Sequence, residues 1–319
     1  MPQRPTNPSA IELDGPWTHH LHHSRGVRIH CAESGNPDAP LVLLVHGFVG
    51  GWFDWQSVLP LLAENYHTVA MDLRGYGLSD KPPRGYDLGT TALDIAGLVL
   101  ALGHTSATVV AHGDSVPAAI IAGVNEPARI NRVIALNPTH PRQNLDLCAR
   151  HPIRSCDRIT LGLATRFPRL GERRLKVNHS AFLETMTAHL SGPTFRYSER
   201  FDEYLAIRRF AMGVERVAYY ACLRHHKVAI ATMPRSTEQT VLADWSDWGG
   251  NDSLTSLGCS PPPAVSVLHG AKDPLITASK TARDAIRDAS TVTLVPGVGH
   301  FVHMEAPQAV RDAVVTAES

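Results

Sequence analysis

Residues 108–119 read Thr-Val-Val-Ala-His-Gly-Asp-Ser-Val-Pro-Ala-Ala. A β-branched run, a tight turn and a helix-forming stretch follow one another. That order is the setting of a nucleophile elbow, a strand-to-helix turn that lifts one side chain clear of a sheet. The elbow pattern is small–x–nucleophile–x–small. Gly113 takes the central slot between Ala111 and Ser115, and Asp114 and Ser115 come just after it. Glycine tolerates the strained backbone of such a turn, but it carries nothing to attack with.

Strand patterns lie on both sides of this stretch. Residues 27–33 and 40–46 are β-rich and apolar, and Leu41-Val42-Leu43-Leu44-Val45 has the unbroken apolar character of a strand buried on both faces. His67 to Leu73 reads the same way. Thr91 to Leu102 has helical apolar spacing and stops at Gly103. Thr108 to Ala111 predicts a strand, Pro117 to Val124 a helix and Val133 to Leu136 another strand. From Pro138 to Asn251 the chain is helix-like and Arg-rich, broken by Pro168, Gly171 and Pro193. Strands return at Ala264 to Leu268 and Thr291 to Val295, after Pro261-Pro262-Pro263. Strands alternating with helices imply an α/β fold with a mostly parallel sheet. The helical block predicts an inserted cap. The expected division is a disordered lead over 1–14, a core over 15–138 and 252–319, and a helical cap over 139–251.

Composition narrows the partners. The 319 residues are 43% hydrophobic and 19% charged, and 30 basic side chains balance 30 acidic ones. A neutral chain gives no electrostatic footprint for nucleic acid or an anionic membrane. No apolar run approaches the ~18 residues of a membrane span, and the N-terminus has no apolar signal region. Cys31, Cys148, Cys156, Cys222 and Cys259 are scattered without a CxxC pair and read as reduced thiols. The expectation is a cytoplasmic protein with no integral membrane segment; the sequence leaves its oligomeric state unread. The run His19-His20-Leu21-His22-His23 lacks a Cys or carboxylate partner at metal-ligand spacing, so no metal is expected. In an extended strand these histidines point to both faces. His225-His226 and Arg173-Arg174 read as solvated surface.

Three stretches bring chemistry to the strand ends. His46-Gly47-Phe48 follows a buried strand, where the Phe48 backbone N–H can face a developing oxyanion and glycine permits close approach. His46 is a candidate for lining the substrate site. Asp273, in His269-Gly270-Ala271-Lys272-Asp273-Pro274, stands where a strand delivers a carboxylate to the carboxyl edge of a sheet. His300, in Gly297-Val298-Gly299-His300-Phe301, comes last, in the order nucleophile, acid, histidine. An imidazole there can accept and return a proton. Asn137 follows its strand but cannot ionise, which favours Asp273 as the acid.

Together these residues resemble the α/β-hydrolase superfamily. The run Asp72-Leu73-Arg74-Gly75-Tyr76-Gly77-Leu78-Ser79-Asp80-Lys81-Pro82-Pro83 is similar to a loop of its epoxide-hydrolase-like members, especially actinobacterial ones. The resemblance covers about residues 15–140 and 260–310, and the cap only loosely. It implies an α/β-hydrolase core under a helical cap, with a Ser or Asp nucleophile, an acid and a His, and no cofactor. Asp273 and His300 match the acid and the His; Phe48 matches one oxyanion donor, and Asp114 N–H is the other candidate. The family's spacing, about eleven residues on from Leu102 and about fourteen back from Pro127, puts Gly113 at the nucleophile position.

Three readings stay open. Asp114 attacks an epoxide carbon and His300 hydrolyses the ester through water. A shifted turn makes Ser115 the nucleophile of an esterase. Or no covalent step occurs, and the His300–Asp273 pair activates water directly or survives in a protein that only binds a ligand. The resemblance also implies cap tyrosines that hold the epoxide oxygen. Tyr219-Tyr220 matches a Trp-Tyr pair, making Tyr220 the candidate, with Tyr197 or Tyr204 as the second. Trp52 and Trp55 are candidates for lining the pocket, with Trp245 and Trp248 near the cap exit. The expected function is hydrolysis of a small or lipid-like apolar substrate, epoxide ahead of ester. The alternative is an atypical family member that binds a ligand in the core–cap pocket.

Overall fold

The computed structural model describes residues 6–139, 167, 183–184, 186–217, 220, 263–277 and 292–316. Eight strands form one sheet: β1 (Thr18–Ser24), β2 (Val27–Ser34), β3 (Leu41–Val45), β4 (His67–Met71), β5 (Ala107–His112), β6 (Ile130–Leu136), β7 (Ala264–Gly270) and β8 (Val292–Val295), in spatial order β1-β2-β4-β3-β5-β6-β7-β8. β1 with β2 and β2 with β4 are antiparallel; every other pair is parallel. This is the mostly parallel α/β sheet that the alternation predicted.

The central strands are apolar because both faces are covered. All five residues of β3 and of β4 are buried, and burial of each such Val or Leu side chain is worth about 1.5–3 kcal/mol. On one face lie α1 (Leu88–Ala101) and α2 (Val116–Asn125), which pack on Leu43, Val69, Val109 and Val133. On the other, α3 (Glu199–Gly213), α4 (Val302–Glu305) and α5 (Pro307–Val315) close over Val42, Leu44, Val110 and Ile134. Asp87 begins α1, its carboxylate accepting from Thr90 N–H at 2.9 Å, so the helix starts one turn before the predicted Thr91.

The lead expected to be disordered over 1–14 is ordered from Thr6 onward. Pro8–Ile11 forms a 3₁₀ turn, Ile11 is buried, and Thr6 N–H donates to Gly213 O at 2.9 Å. The buried Ile11 side chain, the Thr6–Gly213 bond and the Trp52 Nε1–H bond to Ile11 O together hold a segment whose composition looks disordered. The His-rich run forms β1, an antiparallel edge strand not predicted as such: His19 contacts His30 and Trp52, and His22 bonds Glu33.

β6 and β7 are neighbours in register, Leu136 beside Leu268, although residues 137–263 separate them in the chain. The segment between them is therefore an insertion. Its described part includes Pro193–Arg196 and α3. Of the features expected there, Pro168, Gly171, Arg173-Arg174, Tyr219, His225-His226, Trp245, Trp248, Pro261 and Pro262 lie outside the described residues, as do Cys148, Cys156, Cys222 and Cys259.

Candidate active site

The parallel register brings Val45, Ala111, Leu136 and Leu268 to one edge of the sheet. The residues just beyond them build the site, as expected for ligand sites at the carboxyl ends of parallel strands. β5 turns at Gly113, whose φ of +59° lies in the left-handed region, and α2 starts three residues on. Among the described residues, a Cβ built on Gly113 would meet His300 Nε2 alone within 4 Å, at 3.5 Å. The elbow position therefore faces the imidazole and holds no side chain.

His300 is tied to its surroundings on several sides. Its Nδ1 lies 2.8 Å from Asp273 Oδ2, fixing the Nδ1–H tautomer and leaving Nε2 toward Gly113. Its backbone N–H donates to Leu190 O at 2.8 Å, and His112 Nε2 donates to its carbonyl at 2.9 Å. Gly299 is required by space: a Cβ there would lie 2.3 Å from Gly192 N. Glu305 accepts from both Gly299 N–H and Gly192 N–H, clamping the insertion to the His300 loop.

Asp273 is fully buried. Burial pushes its carboxyl up, but the His300 charge and hydrogen bond, with His269 and the Leu275 N–H, outweigh this and hold it at about 2. Asn137 Nδ2 donates to the same Oδ2 at 2.8 Å. At the position where the sequence offered no ionisable group, the structure thus places a donor to the acid. Nothing in the local sequence signals that role, because the partner is 136 residues away.

Asp114, one residue past the elbow, is 7% exposed and sits in the first turn. Ser115 is not in a shifted elbow. The positive φ belongs to Gly113, and Ser115 Oγ donates to His46 O at 2.6 Å in the core. The oxyanion loop lies against the elbow: a Cβ on Gly47 would be 2.8 Å from His112 Nδ1 and 3.0 Å from His112 O. Phe48, the next residue, is half-buried there.

Two of the expected substrate contacts, His46 and Trp52, are held by bonds within the protein. His46 is fully buried, its Nδ1 2.8 Å from Gly47 O and its Nε2 accepting from Leu73 N–H at 3.0 Å, so the ring ties the β3 loop to the β4 loop. Trp52 is also fully buried; its Nε1–H donates to Ile11 O at 2.9 Å and its ring packs on Trp17 and His19. Trp52 anchors the ordered N-terminal lead, which the sequence reading left out of the fold. Trp55 is buried against His303. Tyr220 is buried and stacks on Tyr86 with centroids 5.2 Å apart, at the loop after β4. Tyr197 is 83% exposed, whereas Tyr204 is buried edge-on to Phe301, the neighbour of His300.

Comparison with known proteins agrees with this architecture. The model of the family described as "Alpha/beta hydrolase family" matches residues 42–313. Epoxide hydrolase 3 of Xenopus tropicalis is 34% identical over 129 residues, 40% of this chain and 35% of that protein. Soluble epoxide hydrolase of Corynebacterium sp. (strain C12) is 43% identical over 95 residues, covering 30% of this chain and 32% of its own. In these two the match spans about a third of the relative's length. Epoxide hydrolase A of Mycobacterium tuberculosis is 27% identical across 94% of this chain and 97% of its own. Among solved structures, an epoxide hydrolase from an endophytic Streptomyces has a TM-score of 0.67 at 24% identity, covering 95% of each chain. A haloalkane dehalogenase loop variant from Bradyrhizobium elkanii has a TM-score of 0.71 at 22% identity, covering 93% of this chain and 95% of that one. At these identities the structural likeness speaks for the fold.

Proposed function

The chain belongs to the alpha/beta hydrolase family, and from that premise we propose an epoxide-hydrolase-like enzyme in which the Asp273–His300 pair activates water directly. The observation that carries the reading is the elbow. The slot facing His300 Nε2 belongs to Gly113, with 3.5 Å between a built Cβ and that nitrogen. A water molecule in this slot would be within reach of a general base. His300 Nε2 takes a proton from the water as its oxygen bonds to an epoxide carbon and that carbon's C–O bond breaks. Asp273 stabilises the imidazolium that forms, and the proton returns to the alkoxide, giving a vicinal diol. Phe48 N–H and Asp114 N–H are the proposed donors to the developing negative oxygen. An ester would use the same water, the two N–H groups then holding the tetrahedral oxyanion.

The substrate class proposed is small or lipid-like and apolar, epoxide ahead of ester, covered by the helical insertion between β6 and β7 as a cap. A second reading rests on the burial of Asp114 beside the elbow: its carboxylate attacks the epoxide carbon, and His300 then hydrolyses the ester. Among the described residues no helix is long and apolar enough to cross a membrane.

The test is turnover on a panel of epoxides and short-chain esters by the purified protein, beside His300→Ala and Asp273→Asn. The reading expects turnover that falls on the order of 10²–10⁴-fold in each variant. Turnover that survives His300→Ala, or its absence in the wild type, contradicts it. Absence in the wild type would favour a ligand-binding role for the same pocket.

A further inference from the structure

One buried side chain touches the oxyanion loop and the His300 loop together, and it stands next to the elbow. His112 is the last residue of β5 and the chain neighbour of Gly113. It is 3% exposed. Its Nε2–H donates to His300 O at 2.9 Å, and its ring lies against the His300 ring with centroids 4.7 Å apart. Its other edge meets the oxyanion loop, where a Cβ on Gly47 would be 2.8 Å from Nδ1. His303, on α4, packs on the same ring at 4.4 Å between centroids. A single rigid ring thus joins three parts of the site.

A carbonyl only accepts, so the bond to His300 O fixes the Nε2–H tautomer and leaves a lone pair on Nδ1. That Nδ1 has no hydrogen-bond partner among the described residues. A buried acceptor left unpaired destabilises the fold, and an apolar side chain of similar size would not carry that cost. What the imidazole adds, and an apolar side chain cannot, is the hydrogen bond to His300. Burial and the charges of His303, His300 and Arg208 outweigh that bond and hold the ring well below the ordinary histidine range. His112 therefore stays a neutral donor while His300 takes up and returns a proton.

We propose that His112 is a positioning residue for the base: its ring sets the separation between the Gly113 slot and His300 Nε2 and braces both against the oxyanion loop. The assignment deepens the reading of His300 as the base and rests on it. The backbone of His300 is gripped on both sides, its N–H by Leu190 O at 2.8 Å and its C=O by His112. The first grip comes from the insertion. The second comes from the core and ties the base directly to the strand that carries the slot. A displacement of about 1 Å can cost on the order of 10²-fold in rate. A strut one residue from the slot therefore acts on turnover without touching substrate.

The experiment compares two amides of different reach. Gln places its amide nitrogen where His places Nε2, and Asn places its own where His places Nδ1. His112→Gln should keep the bond to His300 O, and His112→Asn should lose it. Crystal structures of the wild type and both variants give the position of the His300 ring, and turnover on the epoxide panel gives kcat and KM. The expected result is a His300 ring in its wild-type place in His112→Gln and displaced from the Gly113 slot in His112→Asn. kcat should stay close to the wild-type value in His112→Gln and fall roughly 10–100-fold in His112→Asn, with KM little changed in both. A side chain that served only to fill space would lose as much as Gln as it does as Asn. If His112→Asn does not fold, His112→Leu takes its place as the variant without the donor. A ring unmoved in the variant that lacks the donor, or equal losses in it and in His112→Gln, overturns the assignment. If the wild type turns nothing over, the water-activation reading falls, and the ring positions alone decide whether His112 places His300.

Discussion

Gly113 is where the chemistry of this chain departs from the pattern of its fold. The turn needs a left-handed backbone, and glycine supplies it at φ +59° without strain. Gly113→Ala should cost about 1–2 kcal/mol from backbone strain, since the methyl group would meet His300 Nε2 at 3.5 Å, an ordinary van der Waals contact, and no other described residue within 4 Å. A denaturant midpoint lowered with an unchanged m-value would show this. Gly113→Asp should restore a nucleophile in the slot facing the imidazole, because Asp tolerates left-handed backbone better than most residues. In Gly113→Asp combined with His300→Ala, incubation with an epoxide should leave a stable ester whose added mass is found on the peptide containing residue 113. An unmodified peptide would mean that the slot does not present a side chain to substrate.

At the level of elements, the carboxyl ends of β3, β5, β6 and β7 and the loop after β8 each deliver one part of the site. Asn137, at the end of β6, shows how they depend on one another. Its amide donates to the Asp273 oxygen that also pairs with His300. Removing one hydrogen bond to a charged group costs about 1.5–3 kcal/mol. Asn137→Ala should therefore lower kcat by roughly 10–100-fold with little change in KM, and raise the Asp273 carboxyl above its present value of about 2. An unchanged kcat would remove Asn137 from the positioning role. Much of this framework was legible in the sequence, because β3, β5, β6 and β7 are apolar runs that announce buried parallel strands by themselves. Asp273 could be placed for the same reason, because it follows β7; His300 was legible from its glycine-rich loop late in the chain, after the acid. What could not be read depends on partners distant in the chain. The donors of Asn137, the roles of His46 and Trp52 as ties between loops, and the burial of Ile11 under Trp52 are decided by packing, which a local pattern does not encode. Arg208 has the same character, joining α3 to Asp54 and Phe301.

For the whole molecule, buried carboxylates set the response to acid. Asp72 accepts from Trp52 N–H at 2.8 Å and Leu78 N–H at 3.0 Å and pairs with His30 at 2.8 Å, joining the β4 loop to β2 and to the turn after β3. Burial pushes its carboxyl up, but the His30 hydrogen bond and charge, His46 and the Leu78 N–H outweigh this and hold it at about 2. An unfolded Asp titrates near ~3.9, so between these values the unfolded chain binds the extra proton and stability rises with pH. The contribution is present above about pH 4 and is lost as pH falls through about 2, on the order of 2 kcal/mol for Asp72. Asp273, also held at about 2, acts in the same direction. Denaturation curves taken from pH 5 down to about pH 2 should show this loss, and Asp72→Asn should be less stable at pH 5 while losing less on acidification. A variant with the same acid slope as the wild type would assign that slope to other carboxylates.

The central claim, that water rather than a side chain attacks at the Gly113 slot, is tested most directly by a single turnover in ¹⁸O-water. Enzyme is held in excess over an epoxide and the diol is weighed by mass spectrometry. Direct activation by His300 predicts one ¹⁸O in every diol from the first turnover and no label in the protein after many. Unlabelled diol in the first turnover, with ¹⁸O later accumulating in the peptide that carries Asp114, would show a covalent ester and contradict the account.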